Sequence, residues 1–145
     1  MIYQRSSKPY DQVLIEMGYS PAKVYELDLT HILLYGKLKA AVKEHFRGEV
    51  LDVGAGRDLF RSHANEGVRR WVSLDFDRRS ESIDVQGDAQ RLPFRNATFD
   101  GILCADVLEH LPAPETALKE FKRVLKRGGT LVLSTPLFLN LHEAP

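Results

Sequence analysis

The feature that most restricts this chain is a change of hydrophobic period near residue 49. Upstream, Leu34, Leu38, Ala41 and Val42 share one face at helical spacing, in a helix read from the capping residue Thr30 to about Phe46, with Gly48 as the stop. Then Glu49-Val50-Leu51-Asp52-Val53 runs directly into Gly54-Ala55-Gly56. A short apolar run closed by a glycine turn reads as a strand buried on both faces. Strands of that kind belong to parallel sheets, whose crossovers are covered by helices.

The rest of the chain continues the alternation. Asp58 suits the N-cap of a short helix over 59–65. Trp71-Val72-Ser73-Leu74 is a second strand ending at Asp75, and Ile83 and Val85 suggest a short third before Gly87-Asp88. Only about eight residues separate these two strands, too few for a helical crossover, so an irregular loop or a poorly formed third strand is expected. Residues 99–105 form a fourth strand. Pro114 opens a helix that buries Ala117, Leu118, Phe121, Val124 and Leu125 and stops at Gly128-Gly129. Thr130-Leu131-Val132-Leu133-Ser134 is the fifth strand, closed by Pro136. Residues 1–29 have weak periodicity and read as a cap with one short helix near Asp11 to Met17.

The acidic residues fall at strand tips. Asp52 precedes Gly54, Asp75 closes the second strand and Asp88 follows the third. In an open α/β sheet ligands bind outside the carboxyl ends of the strands, so these carboxylates are expected to converge on one crevice. Gly54 and Gly56 lack a Cβ and allow close backbone approach. A dinucleotide would set its pyrophosphate at the helix N-terminus beyond the turn. Asp58 stands there, where a third glycine is common, and its carboxylate repels phosphate. A phosphate-free nucleoside with a sulfonium and an ammonium, such as S-adenosylmethionine, suits these acids better. Asp75 is placed to accept hydrogen bonds from both ribose hydroxyls, and Asp88 from the adenine amino group.

Five blocks then carry a resemblance: E-V-L-D-V-G-A-G (49–56), V-S-L-D (72–75), G-D-A-Q-R-L-P-F (87–94), F-D-G-I-L-C-A-D-V-L-E-H-L (99–111) and A-L-K-E-F-K-R-V-L-K-R-G-G-T-L-V-L-S-T-P (117–136). In order and spacing they resemble type 11 methyltransferase domains of the class I S-adenosylmethionine-dependent methyltransferases. The resemblance implies a Rossmann-like α/β sheet in parallel order 3-2-1-4-5. It implies cofactor contacts from Asp52, Gly54, Ala55, Gly56, Asp75, Phe76, Asp88 and Ala89, with Cys104 or Ala105 lining the floor. The family sheet continues past its fifth strand into an antiparallel hairpin. This sequence ends soon after the fifth strand, so we expect a cap over 1–29 and a cofactor-binding domain over 30–145 that is incomplete at its C-terminus. The fifth strand would then be an apolar edge that invites dimerisation.

Composition narrows the alternatives. A length of 145 residues with 43% hydrophobic and 28% charged content suits one globular domain. Lys+Arg and Asp+Glu balance at 20 each, which gives no electrostatic case for nucleic acid or an anionic membrane. Lys119, Lys122, Arg123, Lys126 and Arg127 read as a solvated helix face. No apolar run reaches membrane-spanning length, and the N-terminus lacks a signal-peptide core. With Cys104 alone there is no intrachain disulfide, and a cytoplasmic protein is the default expectation. The histidines lack metal-ligand spacing, so no metal is expected. Cys104 reads as a small buried residue, and Glu109, His110, His142 and Glu143 as polar neighbours of an acceptor with no assigned catalytic role. The function expected is methyl transfer to a small-molecule, lipid or glycan-precursor acceptor. A non-catalytic cofactor-binding or interaction domain is the alternative, and a nicotinamide oxidoreductase is disfavoured by Asp52 and Asp58.

Overall fold

Strand β1 (Gly48–Val53) occupies the centre of a five-stranded parallel sheet and is buried along nearly its whole length. Its apolar run needs that place, because a parallel strand covered on both faces has no solvated side. On one side it pairs with β2 (Val68–Asp75), which pairs with β3 (Val85–Gln86). On the other it pairs with β4 (Phe99–Ala105), which pairs with β5 (Leu125–Ser134). The order is β3-β2-β1-β4-β5, as expected. This computed structural model describes residues 21–77 and 81–135, with side chains of the first helix described from Leu33 onward.

The chain divides into two compact units, Met1–Lys37 and Leu38–Pro145, and the division falls within helix α1 (Pro21–His45). Helix α1 starts earlier than the capping residue Thr30 suggested. Pro21 supplies a first-turn residue whose missing N–H costs nothing there. In the second unit Leu38, Val42 and Phe46 are buried at helical spacing, and Phe46 meets Trp71 of β2 at a centroid distance of 6.2 Å. The short helix expected near Asp11 to Met17 lies outside the described residues.

Helix α2 (Pro114–Val124) covers β4 and β5 and buries Ala117, Phe121 and Val124. Two expectations fail here. Leu118 is 40% exposed, and the helix ends at Val124 with extended backbone at Leu125, short of Gly128-Gly129. Leu125 pairs with Phe99, and the next paired residue is Thr130, opposite Gly101. The glycines therefore serve an irregular excursion within β5.

The helix expected over 59–65 is reduced to a 3-10 turn, Arg61–His63, which buries no residue. The tight link between β2 and β3 leaves β3 only two residues long, while Ile83 packs into the interior just before it.

Candidate cofactor site

The chain leaves β1 through a turn that crosses the end of β2. The N–H groups of Gly54 and Ala55 both donate to the Leu74 carbonyl, at 2.8 and 3.1 Å. Gly54 has φ +70° and Gly56 φ +55°, the left-handed region that side chains avoid. A Cβ on Gly54 would come within 2.3 Å of Val107 Cγ2. At Gly56 nothing but the Gly54 carbonyl stands within 4.0 Å, so the demand there is conformational.

Asp75 closes β2 and turns its carboxylate onto this loop. Oδ2 accepts the Gly56 N–H at 2.9 Å, and Oδ1 accepts the Asp77 N–H at 3.0 Å. A carboxylate offers about four acceptor positions, so about two remain for a pair of hydroxyls. Asp52 is 2% exposed and its Oδ2 has no hydrogen-bond partner. Burial, then the neighbouring Asp58, push its carboxyl well above the usual carboxylate range; Arg61 opposes this and Asp75 adds to it.

Asp58 does not cap a helix. It adopts φ +56°, a conformation aspartate tolerates better than most residues, in the place where a third glycine is common. Its Oδ2 lies 2.7 Å from Arg61 Nε as a close ion pair without a well-directed hydrogen bond, and its Oδ1 is buried without a partner.

Asp88 lies two residues past Gln86, the register partner of Asp75. Its Oδ1 accepts the Gln90 N–H at 2.8 Å, and an antiparallel bridge joins Asp88 to Arg91. Its carboxylate thus organises its own turn. Ala89 is buried in the core and Ala55 beside the glycine turn, whereas Phe76 is 71% exposed at the tip of β2. Cys104 is buried, and burial first, then Asp52, Glu109 and Asp106, push its thiol up to about 12. A thiol held protonated is no nucleophile.

The structure joins Gly56 to Asp75 directly and places Asp52 within electrostatic reach of both Asp58 and Asp75. Sequence reasoning missed Val107, which fills the space that Gly54 leaves, and the lock between Asp106 and Ser134. In that lock Ser134 Oγ donates to Asp106 Oδ1 at 2.8 Å, and the Asp106 N–H donates to the Ser134 carbonyl at 3.1 Å. It also missed Arg61, although the Asp58-x-x-Arg61 spacing was a usable signal. The donor set suits a neutral-to-cationic nucleoside: a buried acid with an open oxygen, a Cβ-free turn and a strand-end carboxylate with acceptor capacity to spare. His142 and Glu143 lie outside the described residues.

Two open surface hollows, about 380 and 490 Å³, are lined respectively by Lys39, Lys43 and His63 and by Leu118, Lys126 and Leu131. Neither borders the glycine turn. Among the described residues there is no cluster of metal-ligating side chains, and no helix is long and apolar enough to cross a membrane.

Comparison with known proteins agrees with this geometry. A family model described as a methyltransferase domain matches residues 51–133. An uncharacterized protein of Methanocaldococcus jannaschii is 30% identical over 105 residues, covering 70% of this chain and 51% of that protein. Demethylmenaquinone methyltransferase of Renibacterium salmoninarum is 36% identical over 94 residues, covering 59% of this chain and 40% of the enzyme. A crystal structure of a candidate methyltransferase from Bacillus halodurans superposes with a TM-score of 0.56 at 26% identity, covering 66% of this chain and 48% of the other. The chain thus spans about half the length of such relatives, or less.

Proposed function

This chain belongs to the class I S-adenosylmethionine-dependent methyltransferases, and on that premise we infer that its glycine turn binds the methyl donor for transfer to a small organic acceptor. The observation that carries the reading is the junction of three elements at the carboxyl ends of β1 and β2. The buried Asp52, the left-handed Gly54 and Gly56, and Asp75 bonded to the Gly56 N–H all meet there.

The bound donor would supply a methyl group already activated by a sulfonium charge. The protein's share is then mainly positioning, which can contribute several kcal/mol to a barrier, roughly 7–11 in well-oriented cases. In this reading Asp75 holds the ribose hydroxyls and the open oxygen of Asp52 faces the cationic amino-acid end. The exposed Phe76 ring and the Asp88-Ala89 turn border the adenine, and Cys104 supplies a small, inert floor. The demethylmenaquinone methyltransferase relative makes demethylmenaquinone-like compounds the first acceptors to try.

Calorimetric titration of the chain with S-adenosylmethionine, S-adenosylhomocysteine and NAD tests the reading. Binding of the two adenosyl compounds without NAD is the expected result. Binding of NAD alone would overturn it.

A further inference from the structure

Arg61 lies outside the five motif blocks, yet its guanidinium spans three elements around the turn. Nε is 2.7 Å from Asp58 Oδ2, Nη2 donates to Ser73 Oγ at 3.0 Å, and Nη2 also pairs with Asp84 Oδ2. Asp84 is itself fastened to β2: its Oδ2 accepts the Ser73 N–H at 2.9 Å, and its own N–H donates to the Ser73 carbonyl at 3.0 Å. Ser73 is fully buried and is the register partner of Asp52. One cation therefore ties the exit of the glycine turn to the middle of β2 and to the approach of β3.

The place is crowded with acids. The Asp52 and Asp58 side chains are almost wholly buried, and each keeps one oxygen without a partner. The groups that bear on Asp52 are Asp58 and Arg61 from the link after β1 and Asp75 from β2. Across on β4, Asp52 helps to hold the Cys104 thiol protonated. Buried carboxylates this close resist ionising together unless a counter-charge is present, and Arg61 is the cation in contact with the group. The helix expected after the turn is reduced here to three residues that bury nothing, with Phe60 just before them as a buried anchor of the link.

The geometry points to Arg61 as a positioning residue of the cofactor site: it holds Asp58 in its left-handed conformation and supplies a counter-charge beside the buried Asp52. This rests on the cofactor reading above. A staple without electrostatic consequence would predict something different, a loss of stability with no pH signature in ligand binding.

The test is calorimetric titration of the full chain with S-adenosylhomocysteine, from neutral to mildly alkaline pH, with circular dichroism to establish folding. R61M should weaken binding about tenfold at neutral pH, the size of a lost charged hydrogen-bond partner. The deficit should narrow as pH rises and Asp52 regains its charge, and R61K should recover most of the affinity. Wild-type affinity in folded R61M, or a deficit constant across pH, would overturn the assignment. Should R61M fail to fold, D58N and R61M/D58N decide the matter. With Asp58 neutral the arginine has less charge to balance, so the double variant should bind nearly as D58N does. A further tenfold loss in the double variant would overturn the role. A wild-type chain that binds no adenosyl ligand overturns the cofactor reading and this one together, whereas normal wild-type binding with an indifferent Arg61 removes only this one.

Discussion

Two arginines fasten irregular segments to opposite halves of the sheet, and they work in different company. Arg123 sits on α2 above a packed face of Ala117, Phe121 and Val124. Its guanidinium donates to the carbonyls of Leu92 and Phe94 at 3.0 and 2.7 Å, to Asn96 Oδ1 at 3.0 Å, and to Glu120, whose Oε2 accepts the Leu92 N–H. These bonds hold Glu120 below its usual carboxylate range. Arg61 makes a comparable knot on a link whose 3-10 turn buries nothing. On the β4–β5 side the polar clamp is added to a buried helix face; on the β1–β2 side it stands beside less apolar burial, the ring of Phe60 next to a 3-10 turn that buries nothing. The second arrangement also sets its charges beside the crevice, where they act on a ligand.

The largest effect should come from the packed half. Phe121→Ala removes a 1% exposed ring and should cost about 3–5 kcal/mol in denaturant unfolding. A loss under about 1 kcal/mol would mean that burial does not distinguish the two halves. Arg123→Met should follow at about 2–3 kcal/mol, since it strands carbonyls and Glu120 that the guanidinium satisfies. That loss should appear in stability and not in affinity for an adenosyl ligand; a selective affinity loss would erase the contrast with Arg61.

On the site side the order reverses. Asp75→Ala should weaken S-adenosylhomocysteine binding by about 1–3 kcal/mol in titration calorimetry. A folded variant with unchanged affinity would remove Asp75 from the ribose. Gly54→Ala combines a forbidden φ with a collision against Val107 and should destabilise by about 1–2 kcal/mol. Adding Val107→Ala should return only the steric part, as a double-mutant cycle would show.

The smallest effect concerns pH. The Asp52 carboxyl is raised above its unfolded value, so the folded chain binds its proton more tightly. The stability this gives is complete in acid, below the unfolded value, and is lost as pH rises through the raised one. Asp52→Asn should therefore flatten the fall in melting temperature toward higher pH while weakening adenosyl binding. An unchanged slope would show that Asp52 does not titrate as its burial implies.

Much of this was legible in residues 49–56 and 99–105, because a strand buried on both faces leaves an apolar run that periodicity reveals. The glycine turn and the role of Asp75 as a strand-end acid were legible for a similar reason: unusual backbone and strand ends select particular residues. The helix boundaries were less so. Thr30 and Gly128-Gly129 are ordinary start and stop signals; α1 begins before the first, and tertiary demands override the second. Val124 must be buried and Leu125 must pair with Phe99, so the helix yields to the sheet before it reaches the glycines.

The sequence by itself determined the alternation of strands and helices and the acids at the strand ends, because period and turn chemistry are local properties written in neighbouring residues, while the strand order followed only from the family resemblance. Only the tertiary structure decided which partner each acid takes. Asp58 meets Arg61, Asp75 meets the Gly56 N–H, Asp88 turns to Gln90, and Asp52 keeps an oxygen open. Those pairings depend on where separate strands end in space, and on which charges burial forces together, neither of which is carried by spacing along the chain.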